Sequence, residues 1–210
     1  IRVHLFVFFP SLSGVMSHNI VKPLRKYPGH RGGTLKFLTG TVMEDKILGA
    51  YKIGDLLGYG SFGEVYKALH LETSETYAIK FIKIKDVQAN PKLLNDIKRE
   101  VQILSDIEEN YDNGHPNIVR LYDHLVSKDT GDMYLIMELI EGGDLGDFLK
   151  QHGPLPVTVA RRFVKNIANA LQFLRTVDII HRDLKPDNLL VTSMDLNTAM
   201  IKVADFGLGA

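Results

Sequence analysis

The sequence contains no cysteine, which excludes a disulfide framework and a thiolate metal site. That absence fits a reducing compartment, and a cytoplasmic location is expected. There is no apolar run approaching the roughly 20 residues that a membrane-spanning helix requires. The most apolar stretch, Leu5-Phe6-Val7-Phe8-Phe9, is cut at once by Pro10. Net charge is also missing, since 25 Lys/Arg balance 25 Asp/Glu. The balance hides a second absence, because residues 1–42 hold no Asp or Glu. They hold six bases (Arg2, Lys22, Arg25, Lys26, Arg31, Lys36), which leaves 19 bases against 25 acids, a net of −6, for residues 43–210. Such a change of sign marks two segments of different role. The acidic remainder lacks the basic face of a nucleic-acid binder, so no nucleic-acid partner is expected.

The basic leader admits three readings: the remnant of a secretory signal, a mitochondrial presequence free of acids, or a disordered or non-native tail ahead of Met43. The last is preferred, and no function is assigned there. The run Lys22-Pro23-Leu24-Arg25-Lys26 is the only support for membrane association, and it reads better as solvated.

What is present, at 45% hydrophobic and 24% charged residues, suffices for a sizeable core. From Tyr51 the pattern is strand-like: Tyr51, Ile53 and Leu56-Leu57, then Val65-Tyr66-Lys67-Ala68. Between them lies Gly58-Tyr59-Gly60-Ser61-Phe62-Gly63-Glu64-Val65. Glycines with this G-x-G-x-x-G-x-V spacing let backbone N–H groups approach a phosphate closely. A dinucleotide fold would place them before a helix. Here strand formers follow, and a hairpin tip is expected. Thr76-Tyr77-Ala78-Ile79-Lys80-Phe81-Ile82 is an apolar strand with one lysine inside it. A buried ammonium needs a partner; a lysine snorkelling from an edge strand does not. Lys92 to Ile107 carries apolar residues at helical spacing with Glu100 among them. Glu108 and Glu109 read as solvated at a frayed end, and 108–114 as a polar turn. Met133 to Leu139 reads as a buried strand, and 157–177 as a long amphipathic helix.

After that helix comes His181-Arg182-Asp183-Leu184-Lys185-Pro186-Asp187-Asn188, and seventeen residues beyond Asn188 stands Asp205-Phe206-Gly207. Together with the glycine loop, Lys80 and Glu100, these segments resemble the signature set of the eukaryotic protein kinases over roughly residues 51–207. Lys185, two residues after Asp183, is similar to the serine/threonine form. Asn117-Ile118-Val119-Arg120-Leu121-Tyr122-Asp123, Met137-Glu138 with Gly142-Gly143-Asp144-Leu145, and Ala170-Leu171-Gln172-Phe173-Leu174-Arg175 resemble the autophagy-initiating kinase subfamily. Calcium/calmodulin-type kinases are the nearest competitor.

The resemblance implies an α+β, protein-kinase-like fold: an antiparallel-sheet N-lobe (43–136), a hinge (137–144), and an incomplete, mainly helical C-lobe (145–210). It implies ATP and Mg2+ as cofactors and a protein substrate. The catalytic group would be Asp183, accepting a hydrogen bond from the acceptor hydroxyl, Lys185, offsetting phosphoryl charge, and Lys80, on the phosphates and paired with Glu100. ATP would lie among Leu57, Gly58, Gly60, Ser61, Gly63, Val65, Ala78, Lys80, Met137, Glu138 and Leu190. Asp144 would bond the ribose, or else serve as a helix N-cap. Asn188 and Asp205 would supply hard oxygens to Mg2+. His181 and Arg182 would hold the loop together, and Phe206 would pack inward. No Ala-Pro-Glu follows Asp205, so the chain reads as part of a kinase, inactive alone, with Leu171, Phe173 and Leu174 short of cover. A non-catalytic nucleotide-binding or scaffold module is the alternative.

Overall fold

Tyr51 and Ile53 are buried while Lys52 between them is exposed, the alternation that a half-covered strand demands. The computed structural model describes residues 47–60, 63–88, 90–111 and 114–206. The leader 1–42, Ser61 and Gly207 lie outside the described residues. Six strands form one antiparallel sheet: β1 (Ile47–Leu48), β2 (Tyr51–Gly60), β3 (Gly63–His70), β4 (Thr76–Ile82), β5 (Leu121–Val126) and β6 (Met133–Glu138), in the order β1-β2-β3-β4-β6-β5. The glycine segment closes the β2–β3 hairpin as expected, with Gly58 opposite Val65 and Gly60 opposite Gly63. Register irregularities on either side of Leu56 bend this ribbon.

Strand β4 sits between β3 and β6, which explains its nearly unbroken burial. Its period of two sends Ala78, Lys80 and Ile82 to one face, and Tyr77, Ile79 and Phe81 to the other. The first face carries the larger core, with Val101, Leu104, Leu135 and Met137. The second is closed by Tyr51, Tyr77 and Ile136 with edge-on aromatic contacts.

Two helices lead in from β4. A short one, α1 (Ile84–Gln88), was not anticipated from the pattern. The next, α2 (Pro91–Asn110), starts where Asn90 caps it, accepting from Leu93 N–H, with Pro91 in the first turn. Its buried stripe is Ile97, Val101, Leu104 and Ile107. The expected frayed end and polar turn from 108 onward are wrong for their first residues. The helix continues to Asn110, and Glu108 is not solvated: its side chain is 7% exposed and grips Arg120. A buried ion pair at the last turn holds that turn in helical form.

Beyond β6 come α3 (Leu145–His152), α4 (Val157–Thr176), a single 3-10 turn at Pro186–Asn188, and a second sheet of β7 (Leu189–Val191) with β8 (Ile201–Val203). Residues 192–200 form the expected hairpin connection. Val159, Phe163, Asn166, Ala170 and Leu174 make the buried stripe of α4. Leu174 therefore does not lack cover, at 1% exposure, whereas Leu171 is 38% exposed. Phe173 is half-buried and stacks on His115, ring centroids 4.7 Å apart. Among the described residues no helix is long and apolar enough to cross a membrane.

The short β8 is held from two sides besides β7. Asn166 Oδ1 accepts from Ile201 N–H at 3.0 Å, and Asn117 Nδ2 donates to Ile201 O at 2.9 Å. Val119 N–H donates to Val203 O, and Val203 N–H to Asn117 O. This frame delivers Asp205 to the site.

Candidate active site

Lys80 points from the central strand into the larger core and is 4% exposed. Its Nζ lies 3.1 and 3.0 Å from the two carboxylate oxygens of Glu100, a residue with no exposed surface on the inner stripe of α2. Asp205 Oδ1 is 4.0 Å from the same nitrogen. Burial alone would pull the Lys80 ammonium down, but Glu100 and Asp205 outweigh it and hold it above its ordinary value. Burial pushes the Glu100 carboxyl upward, and Lys80 and the Phe206 backbone N–H work against that rise. Lys80 is therefore a paired, buried lysine and not an edge lysine reaching water.

The glycine hairpin lies over this pair. A Cβ added to Gly60 would come 3.2 Å from Lys80 Cε, so a larger residue there would crowd the ammonium stem. A Cβ on Gly63 would meet Phe81 O at 1.8 Å, an approach only glycine allows. Gly58 is part of the same ribbon, and Val65 stands opposite Lys80. Ala78 is buried opposite Met137, also buried, on β6. Leu57 is half exposed on the hairpin.

Glu138 closes β6 with its N–H already donated to Arg120 O at 3.0 Å. Its carboxylate accepts from Lys202 Nζ at 2.8 Å. Asp144 caps α3, its Oδ1 accepting from Asp147 N–H at 2.9 Å, so the N-cap reading holds in the geometry. An isolated bridge sets Asp144 beside the partly buried Leu190.

The loop from His181 to Asn188 is braced from within. The buried His181 has Nε2 2.9 Å from Ala204 O, and its ring lies 4.9 Å from that of Phe206. Phe206 has no exposed surface and packs inward as expected. Arg182 is exposed and adopts φ of 64°. Asp183 Oδ2 accepts from Lys185 Nζ at 2.9 Å and from Asn188 Nδ2 at 3.0 Å. These bonds, Lys185 first, hold the Asp183 carboxyl below the usual carboxylate range, and Asp183 in turn raises the Lys185 ammonium.

Asn188 Nδ2 also donates to Asp183 O at 2.8 Å, which commits the amide nitrogen and leaves Oδ1 as an acceptor. Ala204 N–H donates to Asn188 O at 2.9 Å, bringing Asn188 beside Asp205. Asp205 itself has φ of 61°, a left-handed conformation that costs energy outside glycine and concentrates at functional sites. Among the described residues no group of three or more His, Cys, Asp or Glu could hold a metal. The oxygens of Asn188 and Asp205, the expected metal ligands, would make a two-ligand set. That suits Mg2+, which takes one or two protein carboxylates and fills its octahedron with water and phosphate.

Sequence reasoning passed over three kinds of residue. Asn117 begins a stretch that carries the resemblance and Asn166 lies in a helix, but nothing local gives either of them the clamping of β8. Arg120 with Glu108, and Lys202 with Glu138, pair across 12 and 64 residues, and no local periodicity encodes such pairs.

The family model that describes the protein kinase domain matches residues 51–210. The chain is 39% identical over 164 residues to the serine/threonine-protein kinase atg1 of Dictyostelium discoideum, covering 77% of this chain and 24% of that protein. It is 38% identical over 163 residues to the serine/threonine-protein kinase ATG1a of Arabidopsis thaliana, with the same shares covered. Death-associated protein kinase 2 of Mus musculus is 38% identical over 170 residues, 80% of this chain and 44% of that protein. The chain thus spans about a quarter of the length of the first two relatives.

Proposed function

Since this chain belongs to the protein kinase domain family, we propose that it serves ATP-dependent phosphoryl transfer to serine or threonine hydroxyls of a protein substrate. The observation that carries the proposal is the meeting of two charged clusters. Lys80, Glu100 and Asp205 form one, within 4.0 Å of the lysine nitrogen. Asp183, Lys185 and Asn188 form the other, joined to the first through Ala204 and Asn188.

The chemistry needs an oriented hydroxyl, a clamped phosphoryl group and neutralised oxygen charge. Asp183 is kept ionised by Lys185 and Asn188, so its carboxylate can accept the hydroxyl proton as the new O–P bond forms and the β–γ bridging bond breaks. Lys185 offsets charge on the transferring group. Lys80, steadied by Glu100, presents an ammonium to the phosphates beneath the glycine hairpin. Asn188 and Asp205 would hold Mg2+, which supplies charge neutralisation on the phosphate oxygens when bound. The adenine end would meet the end of β6 near Met137 and Glu138, with Leu57, Val65, Ala78 and Leu190 around it and Asp144 toward the ribose.

The serine/threonine class is supported by Lys185 and by relatives whose names state it. The autophagy-initiating subfamily is supported by the three stretches quoted earlier and by the atg1 relatives. Death-associated protein kinase 2 matches at similar identity, so the overall match favours a protein kinase over any one subfamily.

The test is Lys80→Met in the full-length protein. Phosphate incorporation into a serine- or threonine-bearing substrate should fall at least about a hundredfold, which corresponds to about 3 kcal/mol of transition-state stabilisation. Near-normal turnover would refute the assignment of Lys80, and absence of any transfer by the unmodified protein would favour the scaffold reading.

A further inference from the structure

Behind the site, four charged side chains, three on separate elements and Arg120 just ahead of β5, link into one path. Glu108 on α2 grips Arg120 through two bonds of 2.7 and 3.0 Å. The Arg120 guanidinium also lies 5.0 Å from the ring centroid of Tyr122. Arg120 N–H donates to Glu138 Oε2 at 3.3 Å, and Glu138 N–H donates back to Arg120 O. Lys202 Nζ then meets the same Glu138 oxygen at 2.8 Å. The four side chains are between 7% and 21% exposed, well screened from water. With Glu108 ionised, two positive and two negative charges leave the path neutral.

The path joins the elements that carry the site. Glu108 follows Glu100 by eight residues on one helix, and Lys202 precedes Asp205 by three. Lys80 ties Glu100 to Asp205 in front, and this second bridge ties the same helix and strand at the rear. Its middle is the end of β6. Glu138 cannot rotate about its backbone without losing the Lys202 bond, the Arg120 N–H bond, or both. The peptide at this strand end faces the base end of the nucleotide pocket in the reading given above.

Resting on that reading, we propose that the Lys202–Glu138 pair is a positioning device for nucleotide-base recognition. Lys202 touches no nucleotide; it acts through Glu138 on the strand end that meets the base. The phosphate end depends instead on Lys80 and on the two oxygen ligands. Breaking the rear pair therefore weakens binding at one end of the pocket only, which a merely stabilising ion pair would not do.

The experiment is calorimetric titration of the full-length protein with two separate probes, adenosine and magnesium tripolyphosphate. Lys202→Met is expected to weaken adenosine about five- to tenfold while leaving magnesium tripolyphosphate within about twofold, and Lys202→Arg to restore adenosine to within about twofold. Glu138→Gln, which keeps shape but removes the charge, runs in parallel with circular dichroism as the check on folding, and should show the same base-end loss. A folded Lys202→Met or Glu138→Gln variant with unchanged adenosine affinity overturns the proposal. So does equal loss of both probes. If the unmodified protein binds neither probe, the nucleotide reading of the site fails and takes the proposal with it; binding by the unmodified protein separates the two cases.

Discussion

Replacing Lys80 with methionine keeps most of the stem and removes the ammonium. Glu100, which has no exposed surface, then loses its partner at 3.0–3.1 Å, with Asp205 nearby to repel it. Removing one member of a buried pair costs about 3–5 kcal/mol. For a chain of this size each kcal/mol moves the melting temperature by about 2–4 °C, so a fall of about 10 °C at neutral pH is expected. The fall should depend on pH. In the variant, burial and Asp205 hold the folded pKa of Glu100 above its unfolded value near 4.3. A carboxyl of that kind binds its proton more tightly folded than unfolded. Its unfavourable contribution is absent below about pH 4.3 and grows as pH rises toward the raised value. The variant should therefore suffer least near pH 5 and most near pH 8. Lys80→Met with Glu100→Met removes both charges and fills the space with apolar groups. That combination should return to within about 1–2 kcal/mol of the unmodified protein and lose the extra pH dependence. Thermal unfolding followed by circular dichroism at pH 5 and pH 8 tests all three proteins. A single variant that melts with the unmodified protein at both pH values, or a double variant less stable than the single, would refute the buried ion pair.

Asp183→Asn should abolish phosphoryl transfer while leaving Mg-ATP affinity within a few fold, whereas Asp205→Asn should weaken magnesium-dependent nucleotide binding as well; equal affinity losses in calorimetry would contradict that division. Arg120→Leu strips the guanidinium from Glu108, whose carboxyl burial and Glu138 already push up to about 7. This variant should be destabilised by about 2–3 kcal/mol at pH 8 and by less at pH 5.5, since protonation then relieves the buried charge. A pH-independent deficit in denaturant titrations would argue against it. Gly63→Ala forces a methyl into Phe81 O and should cost about 1–3 kcal/mol through separation of β3 from β4, visible as a lowered melting temperature.

The elements with strong periodicity were legible in the residues. The β2–β3 ribbon, β4, β6, α2 and α4 follow from two-residue and 3.6-residue repeats whose cause is local. Lys80 with Glu100 was legible only through the resemblance to the kinase signature, since by residue type alone Lys80 reads as an edge lysine and Glu100 as a surface carboxylate. The end of α2 was not, because Glu108 by its own neighbours is a surface acid. Only Arg120, brought alongside by the fold, makes it a buried one. Asp144 had two possible roles in the sequence, and its geometry satisfies the cap through Asp147 N–H. The supports of β8 were invisible for the same reason as Arg120. Asparagines at 117 and 166 resemble any polar residue until the strand they clamp is in place.

That clamp bears on the order in which the protein can become functional. Ile201 is held by Asn117, 84 residues earlier, and by Asn166, 35 residues earlier. Contacts so far apart in sequence form late, because chain entropy is lost before they repay it. On a ribosome the chain emerges from its N-terminus, and the six-stranded sheet with Lys80 and Glu100 can be complete long before Asp205 is made. A nascent chain can thus show a finished first layer and still lack the cluster of Asp183, Asn188 and Asp205. The three-residue strand that leads to Asp205 acquires its place only once Asn117 and Asn166 have closed upon it. The appearance of the site is, in this sense, the chain's own report that distant segments have met.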